Sequence, residues 1–233
     1  MVYWGANSRG ASLTQTRRTA KGRATPARAR QGEARRAPDA ARRRILEIAA
    51  RVICEKGYEG AGVQDIAAAA GLTKAGLYYH IESKEQLLFE IQSYGMDVFE
   101  EQVLLPVLNI ADPLDRLRAC MEKNVMLVTR GWSKEVTIIL HEHATLTGEA
   151  RALINARKKR YVRFLEKSFS QAVRRGRIRA VNPKVAAFAF LGMVLWIYKW
   201  YRRDGPIPAE KIAAHMQDLL FNGLETGRAK TKR

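Results

Sequence analysis

Two short helical patterns lie close together in one stretch of the chain, VQDIAAAAGLTKAGLYYHI at 63–81. The first ends at Gly71, and the second follows Thr73, a residue type that favours the N-cap of a helix. Ala67 is small enough for two helices to cross closely, and Leu77 provides an apolar anchor for the second helix. The spacing therefore predicts two short helices joined by a sharp turn at the glycine.

Helical periodicity also covers the rest of the chain from residue 41 onward. One helix is predicted at 41–57, and another starts at Ser83, where Gln86 three residues later completes a capping box. Proline and glycine separate the later helices, which we expect near 112–130, 133–145, 148–176, 183–203 and 208–224. No segment has the pattern of a strand, so the predicted fold class is all-α.

Composition divides this all-α chain into four parts. Residues 1–40 are rich in Arg, Ala and Gly without an apolar period, and we expect a disordered basic arm there. An N-terminal three-helix helix-turn-helix domain is expected at 41–101, a larger helical domain at 102–225 and a basic tail at 226–233. The first segment has two interpretations: an arm that adds nonspecific affinity for nucleic acid, or an over-long assignment of the start site.

The formal net charge of +18 favours a polyanionic partner, but the charge is distributed unevenly. Residues 1–40 hold nine basic and two acidic side chains, and residues 41–101 hold seven basic and ten acidic ones. Residues 102–233 hold 25 basic and 11 acidic side chains. Because the predicted helix-turn-helix lies in the acidic segment, bulk charge by itself does not locate a DNA-binding site.

Cysteine use and hydropathy indicate a cytoplasmic protein. Cys54 and Cys120 lie in apolar helical patterns without CxxC spacing, so a disulfide framework is not expected. Residues 1–40 lack the apolar core of a secretory signal. The apolar run at 185–200 is shorter than the roughly 20 residues that span a bilayer. We interpret this run as a buried helix and expect no membrane partner.

The helix after Thr73 has a surface suited to the major groove of double-stranded DNA. Ala75 and Gly76 are small and allow close approach to base edges, and Gln64 on the preceding helix can read an adenine. Four further residues are suited to phosphate contacts: Thr73, Tyr79, His80 and Lys84. The predicted DNA-binding residues are Gln64, Thr73, Lys74, Ala75, Gly76, Tyr78, Tyr79, His80 and Lys84. For the two tyrosines, the alternative is burial as core aromatics.

The runs RRRILEIAARVICEKGYEG and VQDIAAAAGLTKAGLYYHIESKEQLL together resemble the TetR-type transcriptional regulators, over about 41–101. The resemblance implies a homodimer that binds a palindromic operator and is released by a small-molecule effector. Members usually have Thr or Ser just before the second helix, where this chain has Ala61 and Gly62. One hydroxyl that the resemblance leads us to expect on a phosphate is therefore absent.

The last two predicted helices, 183–203 and 208–224, form the expected dimerisation surface. The first is apolar on nearly all faces, and small residues among its large ones allow close helix–helix approach. We predict a four-helix bundle between two subunits; the alternative is burial of both helices inside one subunit. The predicted interface residues are Phe188, Leu191, Leu195, Met216, Leu219 and Leu220.

The segment 151–179 contains eleven basic residues and one acid, Glu166. Arg157 falls on the inner apolar stripe of this helix, where a cation would suit a ligand with an anionic head and an apolar body; the alternative is a solvated charged face. The runs RKKRYVRFLEKSF and GMVLWIYKWYRRDGPIP resemble a TetR subgroup that controls fatty-acid or steroid breakdown. Because some of those proteins respond to acyl-CoA thioesters, a CoA thioester is the candidate effector. The predicted effector-pocket residues are Trp132, His141, Arg157, Tyr161 and Trp196.

Catalytic and metal-binding patterns are not found in the sequence. His141 and His143, two residues apart on a helix, point about 200° from each other and cannot share one ion. We therefore predict no metal, no cofactor and no enzyme. The hypothesis is a ligand-responsive DNA-binding repressor. The alternatives are a nonspecific basic nucleoid-type protein and a ligand-binding enzyme with a vestigial helix-turn-helix, which would need catalytic groups that the sequence does not show.

Overall fold

The computed structural model describes residues 26–132, 138 and 145–223. The side chains of 26–39 and of Trp132 lie outside that description. All regular elements among the described residues are helical, so the predicted all-α class is confirmed. Within the same residues no helix is long and apolar enough to cross a membrane.

The first four helices are α1 (Pro26–Gly60), α2 (Val63–Ala69), α3 (Lys74–Tyr78) and α4 (Lys84–Phe99). A π-helical turn, Glu100–Leu104, follows α4 directly and continues into one turn of helix, α5 (Leu105–Val107). The later helices are α6 (Pro113–Leu127), which ends in a second π-helical turn at Val128–Trp132, α7 (Gly148–Arg174), α8 (Pro183–Leu195), α9 (Ile197–Trp200) and α10 (Ala209–Phe221).

Two boundaries differ from the sequence predictions. Helix α1 begins at Pro26, inside the predicted arm, in a stretch where Ala, Arg, Gln and Glu have high helix propensity. The helix predicted at 183–203 is interrupted at Trp196, whose ψ of −10° takes the chain out of the regular α-helical conformation.

Several predicted segments fall partly or wholly outside the described residues. These are the first 25 residues of the arm, the helix at 133–145 except for residues 138 and 145, the last residue of the helix at 208–224, and the tail at 226–233. The predicted sites all lie within the compact unit that begins at Ala41.

Helix α4 contributes to two apolar cores. Its first half supplies Leu87, Leu88 and Ile91 to a core shared with α1, α2 and α3. Its last turn supplies Val98 to a second core, formed with side chains of α6, α7, α8 and α10. Phe99 packs against both cores. The two regions predicted from the sequence are therefore joined by one continuous helix.

The first core also receives side chains from beyond residue 102. Leu146 and Ile154, from just before and within the first turns of α7, are fully buried in it. At about 25 cal/mol per Å² of apolar surface, burying one such side chain stabilises the fold by roughly 1.5–3 kcal/mol. The helix-turn-helix region is thus held to the rest of the subunit by packing as well as by the chain connection.

A small polar network lies inside the second core. The Asn124 side-chain amide donates to the Tyr161 hydroxyl at 2.9 Å and to the Cys120 carbonyl at 2.7 Å. The Tyr161 hydroxyl also lies 3.2 Å from Cys120 Sγ. Burial raises the pKa of the Cys120 thiol to about 11, so the thiol stays protonated and unreactive at neutral pH. Tyr161 was predicted to line an effector pocket; its hydroxyl is instead occupied in this buried network.

Replacing Tyr161 by Phe removes the hydroxyl that accepts from Asn124, and a buried amide that loses its partner is costly. We expect Tyr161→Phe to lower the free energy of unfolding by about 1–2 kcal/mol, measured by urea denaturation. The matched control is Tyr79→Phe, at an exposed tyrosine, which is expected to leave stability unchanged. Equal stability of the two variants would contradict the role given to the network.

Candidate DNA-binding and effector sites

Helices α2 and α3 are joined by the turn that the sequence predicts. Gly71 has a φ of 68°, a left-handed conformation that glycine adopts without strain. The Leu72 amide donates to the Ala67 carbonyl at 2.9 Å and closes the turn. Thr73 then caps α3, because its hydroxyl accepts from the Gly76 amide at 3.0 Å. Leu77 is fully buried beneath α3, so the opposite side of this helix is presented outward.

The outward side of α3 carries most of the predicted DNA-binding residues. Tyr79 is 87% exposed and Tyr78 is 45% exposed, so neither is a core aromatic. The remaining predicted residues of this surface are exposed or half-buried: Thr73, Lys74, Ala75, Gly76 and His80. Gly76 has little room for a larger residue, since a Cβ there would lie 3.2 Å from the Thr73 hydroxyl. The N-terminal end of α3 therefore presents small and polar groups without obstruction.

Lys84 stands at the start of α4, where the helix terminus also favours an anion. Its ammonium lies 4.2 Å from the centre of the Tyr58 ring, a cation–π contact. Gly57, with a φ of 71°, breaks α1 one residue before Tyr58. The sequence did not identify Tyr58 as part of this surface, because the contact joins residues far apart in the chain.

Ser83 caps α4 through its hydroxyl, which accepts from the Gln86 amide at 3.0 Å. The predicted capping box is not completed by Gln86. Its side-chain amide donates to Glu90 at 3.2 Å instead, one helical turn further along α4.

Asp65, the third residue of α2, binds back to the residue that precedes this helix. Its carboxylate accepts from the Gly62 amide at 2.9 Å and pairs with the Lys56 ammonium at 2.8 Å. The hydrogen bond from Lys56, followed by that from Gly62, lowers the pKa of Asp65. Gln64, the neighbouring residue, is exposed at the same end of α2. The start of α2 is thus stabilised by the Asp65 carboxylate, while Gly62 at the N-cap has no side chain to supply the hydroxyl that the resemblance leads us to expect.

Arg157 on α7 is bound to α4 and to the π-helical turn that follows it. Its guanidinium contacts Asp97 at 2.6 Å, Glu100 at 2.9 Å and the Ser93 carbonyl at 3.2 Å. Arg160 also pairs with Glu100. Burial alone would raise the pKa of Glu100, but hydrogen bonds from the two arginines outweigh it and lower that pKa. Three protein oxygens receive the donors of Arg157 in this structure, and its contact with a ligand stays a prediction.

A second contact joins the same two elements at the other end of α4. Thr147, the residue before α7, donates its backbone amide and its hydroxyl to the Glu85 carboxylate, at 3.1 and 2.8 Å. Polar contacts with α7 and the residue preceding it are therefore made near both ends of α4.

The other predicted effector-pocket residues do not form one site. The Trp132 side chain and His141 lie outside the described residues, and Trp196 is exposed at the end of α8. A cavity of about 240 Å³ does open beside the second π-helical turn. Its lining residues are Val128, Thr129, Gly131, Tyr198, Tyr201 and Arg203. Three of these, Tyr198, Tyr201 and Arg203, belong to the run GMVLWIYKWYRRDGPIP, on which the effector prediction was partly based. None of the three was itself predicted to line an effector pocket.

An apolar surface extends along α8, α9 and α10. Its exposed large side chains are Val185, Phe188, Trp196, Trp200 and Leu219. Two predicted interface residues, Leu191 and Met216, belong instead to the buried core of the subunit. Leu195 and Leu220 pack partly against that core. Of the predicted interface, Phe188 and Leu219 lie on the exposed surface, which we call the α8–α10 face.

Comparison with known proteins relates both regions to one family. Residues 45–91 match the bacterial regulatory proteins of the tetR family, and residues 111–224 match the tetracyclin repressor-like C-terminal domain. A crystal structure of AibR in complex with isovaleryl coenzyme A and operator DNA is 66% identical in sequence, with a TM-score of 0.74. It is matched over 98% of its length and 78% of this chain. The chain belongs to the TetR family. The prediction of this family is confirmed, and with it the assignment as a DNA-binding transcriptional regulator and not an enzyme.

Two further relatives are more distant. The TetR-family regulator PfmR from Thermus thermophilus is 36% identical, with a TM-score of 0.71, over 78% of this chain and 98% of its own. The HTH-type transcriptional repressor KstR2 of Mycobacterium tuberculosis is 25% identical over 182 residues, which are 77% of this chain and 90% of that protein. All three similarities span both the helix-turn-helix and the larger helical region.

Proposed function

We propose that this TetR-family protein is a repressor that binds a palindromic operator as a homodimer and is released by an acyl-CoA-like effector. The observation that carries the proposal is the surface of α3. It is capped by Thr73, anchored by buried Leu77 and exposed at Tyr78 and Tyr79. A helix so presented enters a major groove with its N-terminal residues against the base edges.

Base reading and phosphate binding are assigned to different residues of this surface. Ala75 and Gly76 bring the backbone of α3 close to base edges, and Gln64 at the start of α2 is placed to read an adenine. Thr73, Tyr79 and Lys84 are assigned to phosphates, where they fix the register of the helix in the groove. Lys74, Tyr78 and His80 complete the surface.

Lys84→Ala tests the phosphate assignment. Two ammonium groups are lost per dimer, so the slope of log affinity against log salt should become shallower by about 1.8. The affinity should fall by the same factor for operator and for unrelated DNA, as measured by fluorescence anisotropy over a salt series. Lys159→Ala, at an exposed lysine on α7, is the control and should leave the slope unchanged. A loss confined to one operator base pair would contradict the assignment.

Dimerisation is assigned to the α8–α10 face. Five large apolar side chains are exposed on these three helices. Burying them between subunits removes apolar surface from water, which is the main favourable term in association. Ala189 and Gly192 are exposed on α8 between the large residues and allow the backbones of two α8 helices to approach closely. The subunits then place two α3 helices about 34–36 Å apart, one turn of DNA.

Phe188→Arg tests this interface by placing a charge at its expected centre. The dimer should dissociate to monomers at micromolar concentration, measured by sedimentation velocity, and operator affinity should fall with it. Leu153→Arg on α7 is the matched control, since Leu153 is 56% exposed and Phe188 is 53% exposed. Dimers that survive Phe188→Arg, or that are lost equally in the control, would contradict the assignment.

The effector class follows from similarity combined with the C-terminal cavity. The solved AibR complex holds isovaleryl coenzyme A together with operator DNA, and this chain shares 66% of its sequence. The cavity beside α6 presents two tyrosine rings, a threonine hydroxyl and the Arg203 guanidinium, groups that suit a ligand with polar and aromatic parts. To shift operator occupancy from 99:1 to 1:99, the effector must favour one subunit arrangement by roughly 5.5 kcal/mol.

Transmission to the DNA-binding surface is assigned to the Arg157 contacts. They join α7 to the last turn of α4, and the π-helical turn at that point is a local departure from regular helix. Since α4 is continuous from these contacts to the α3 region, a displacement of α7 reaches α3 through a single rigid element.

Arg157→Gln should separate effector binding from DNA release. The variant removes the charge that joins Asp97 and Glu100 to α7, so an acyl-CoA should still bind but should release the operator at a several-fold higher concentration. Isothermal titration measures the first quantity, and anisotropy of labelled operator measures the second. Arg163→Gln, on the exposed side of the same helix, is the control. A release midpoint equal to wild type would contradict the coupling role.

The proposed function as a whole is tested by selecting sites from a random duplex library with the native dimer. An inverted repeat bound at least ~10³-fold more tightly than random DNA is expected. Isovaleryl-CoA should lower that affinity, while coenzyme A without the acyl group should act more weakly. Enrichment of no sequence would instead support the nonspecific nucleoid-type alternative and overturn the proposal.

A further inference from the structure

Arg42 on α1 contacts two different helices of the DNA-binding region. Its Nε donates to Glu90 Oε2 at 3.0 Å, and its Nη2 lies 2.5 Å from Glu90 Oε1. Its Nη1 donates to the backbone carbonyl of His80 at 3.1 Å. One planar guanidinium therefore binds the middle of α4 and the residue that follows α3 by two positions.

The His80 carbonyl lies at the C-terminal end of the α3 segment, where backbone carbonyls have no partner within the helix. Helix α3 has only five residues, too few for stability on its own. Its N-terminal end is fixed by the Thr73 cap, and its C-terminal end is met by the positive charge of Arg42. A cation at this end also has a favourable interaction with the helix dipole.

The acceptor on α4 is itself held in place. The Glu90 side chain is only 15% exposed, and the Gln86 amide donates to its Oε1 at 3.2 Å. A bidentate pair of an arginine and a carboxylate fixes direction as well as distance, which a lysine ammonium does not reproduce. The angle between α3 and α4 is thus constrained through Glu90, Arg42 and the His80 carbonyl.

We propose that Arg42 is a positioning residue, which sets the angle of α3 against α4 and thereby the sequence-specific part of DNA binding. The proposal rests on the assignment of α3 as the DNA-reading helix. It adds the step by which a movement of α4 reaches the bases. Glu90 moves with α4 and displaces Arg42, and Arg42 displaces the C-terminal end of α3 through its hydrogen bond to the His80 carbonyl.

A direct role for Arg42 on a DNA phosphate predicts a different pattern, because the side chain is also 48% exposed. If Arg42 bound phosphate, Glu90 would compete for its guanidinium, and Glu90→Gln would leave affinity unchanged or raise it. If Arg42 positions α3, Glu90→Gln removes the charge that holds the Arg42 guanidinium, and operator binding becomes weaker. The two roles are distinguished by the sign of one measurement.

The experiment compares the full-length dimers of wild type, Arg42→Gln, Arg42→Lys and Glu90→Gln on the selected operator and on random duplex of equal length. Loss of a charge-assisted hydrogen bond corresponds to about tenfold or more in affinity. We expect each variant to weaken operator binding by that factor, with less than about threefold change on random DNA. Arg42→Gln/Glu90→Gln should be no weaker than the worse single variant. Arg44→Gln, an equal loss of charge on the exposed side of α1, is the control and should affect both duplexes alike.

Hydrogen exchange of the free protein gives a second readout that does not need DNA. The amides of His80 and Ile81, which donate to the Leu77 carbonyl, should exchange faster in Arg42→Gln than in Arg44→Gln. Unchanged exchange there would overturn the proposal, and so would equal losses on operator and random DNA. The preference of the wild-type protein for the operator is measured separately. A wild-type protein without that preference would contradict the proposed function, whereas variants that keep it would contradict only the role of Arg42.

Discussion

The structure depends on α4 being buried at both of its ends. Leu87, Leu88 and Ile91 lie in the core under the DNA-binding surface, and Val98 lies in the core of the larger region. Every substantial rearrangement of one core must therefore move the helix that supports the other. Densely packed interiors do not deform continuously, so such a helix shifts as a unit between discrete positions. The proposed communication between an effector and the DNA-binding surface rests on this shared burial.

Polar contacts fix the orientation of α4 relative to the helices around it. At the start of α4, Glu85 accepts from Thr147; in its middle, Glu90 binds Arg42; and at its end, Asp97 and Glu100 bind Arg157. The middle contact joins α4 to α1, and the two outer contacts join it to α7 and the residue before α7. Surface ion pairs add little stability singly, but here they fix orientation between helices whose apolar packing is not directional. The proposed regulation and the proposed DNA reading therefore both depend on the carboxylates of α4.

Local signals made the helix-turn-helix predictable from the sequence. The cap at Thr73, the glycine turn at Gly71 and the buried Leu77 depend on residues only a few positions apart. The exposed α8–α10 face could be located only in part from the sequence, because α8 is apolar on nearly all sides and its sequence does not show which side is internal. Leu191 and Met216, which were predicted at a dimer interface, lie in the buried core. The contacts of Arg42 and Arg157 join residues 38 to 64 positions apart, which no helical period indicates.

Spin-label distances across the dimer test the central claim that α4 moves as one element and carries α3 with it. A Cys54→Ser, Ala69→Cys protein places one accessible label beside the turn before α3, since Cys120 is buried. Double electron–electron resonance should give one narrow distance between the two labels of the dimer on operator DNA. A different distance is expected after addition of an acyl-CoA that releases the DNA. Release of the operator with the same distance before and after would contradict the account.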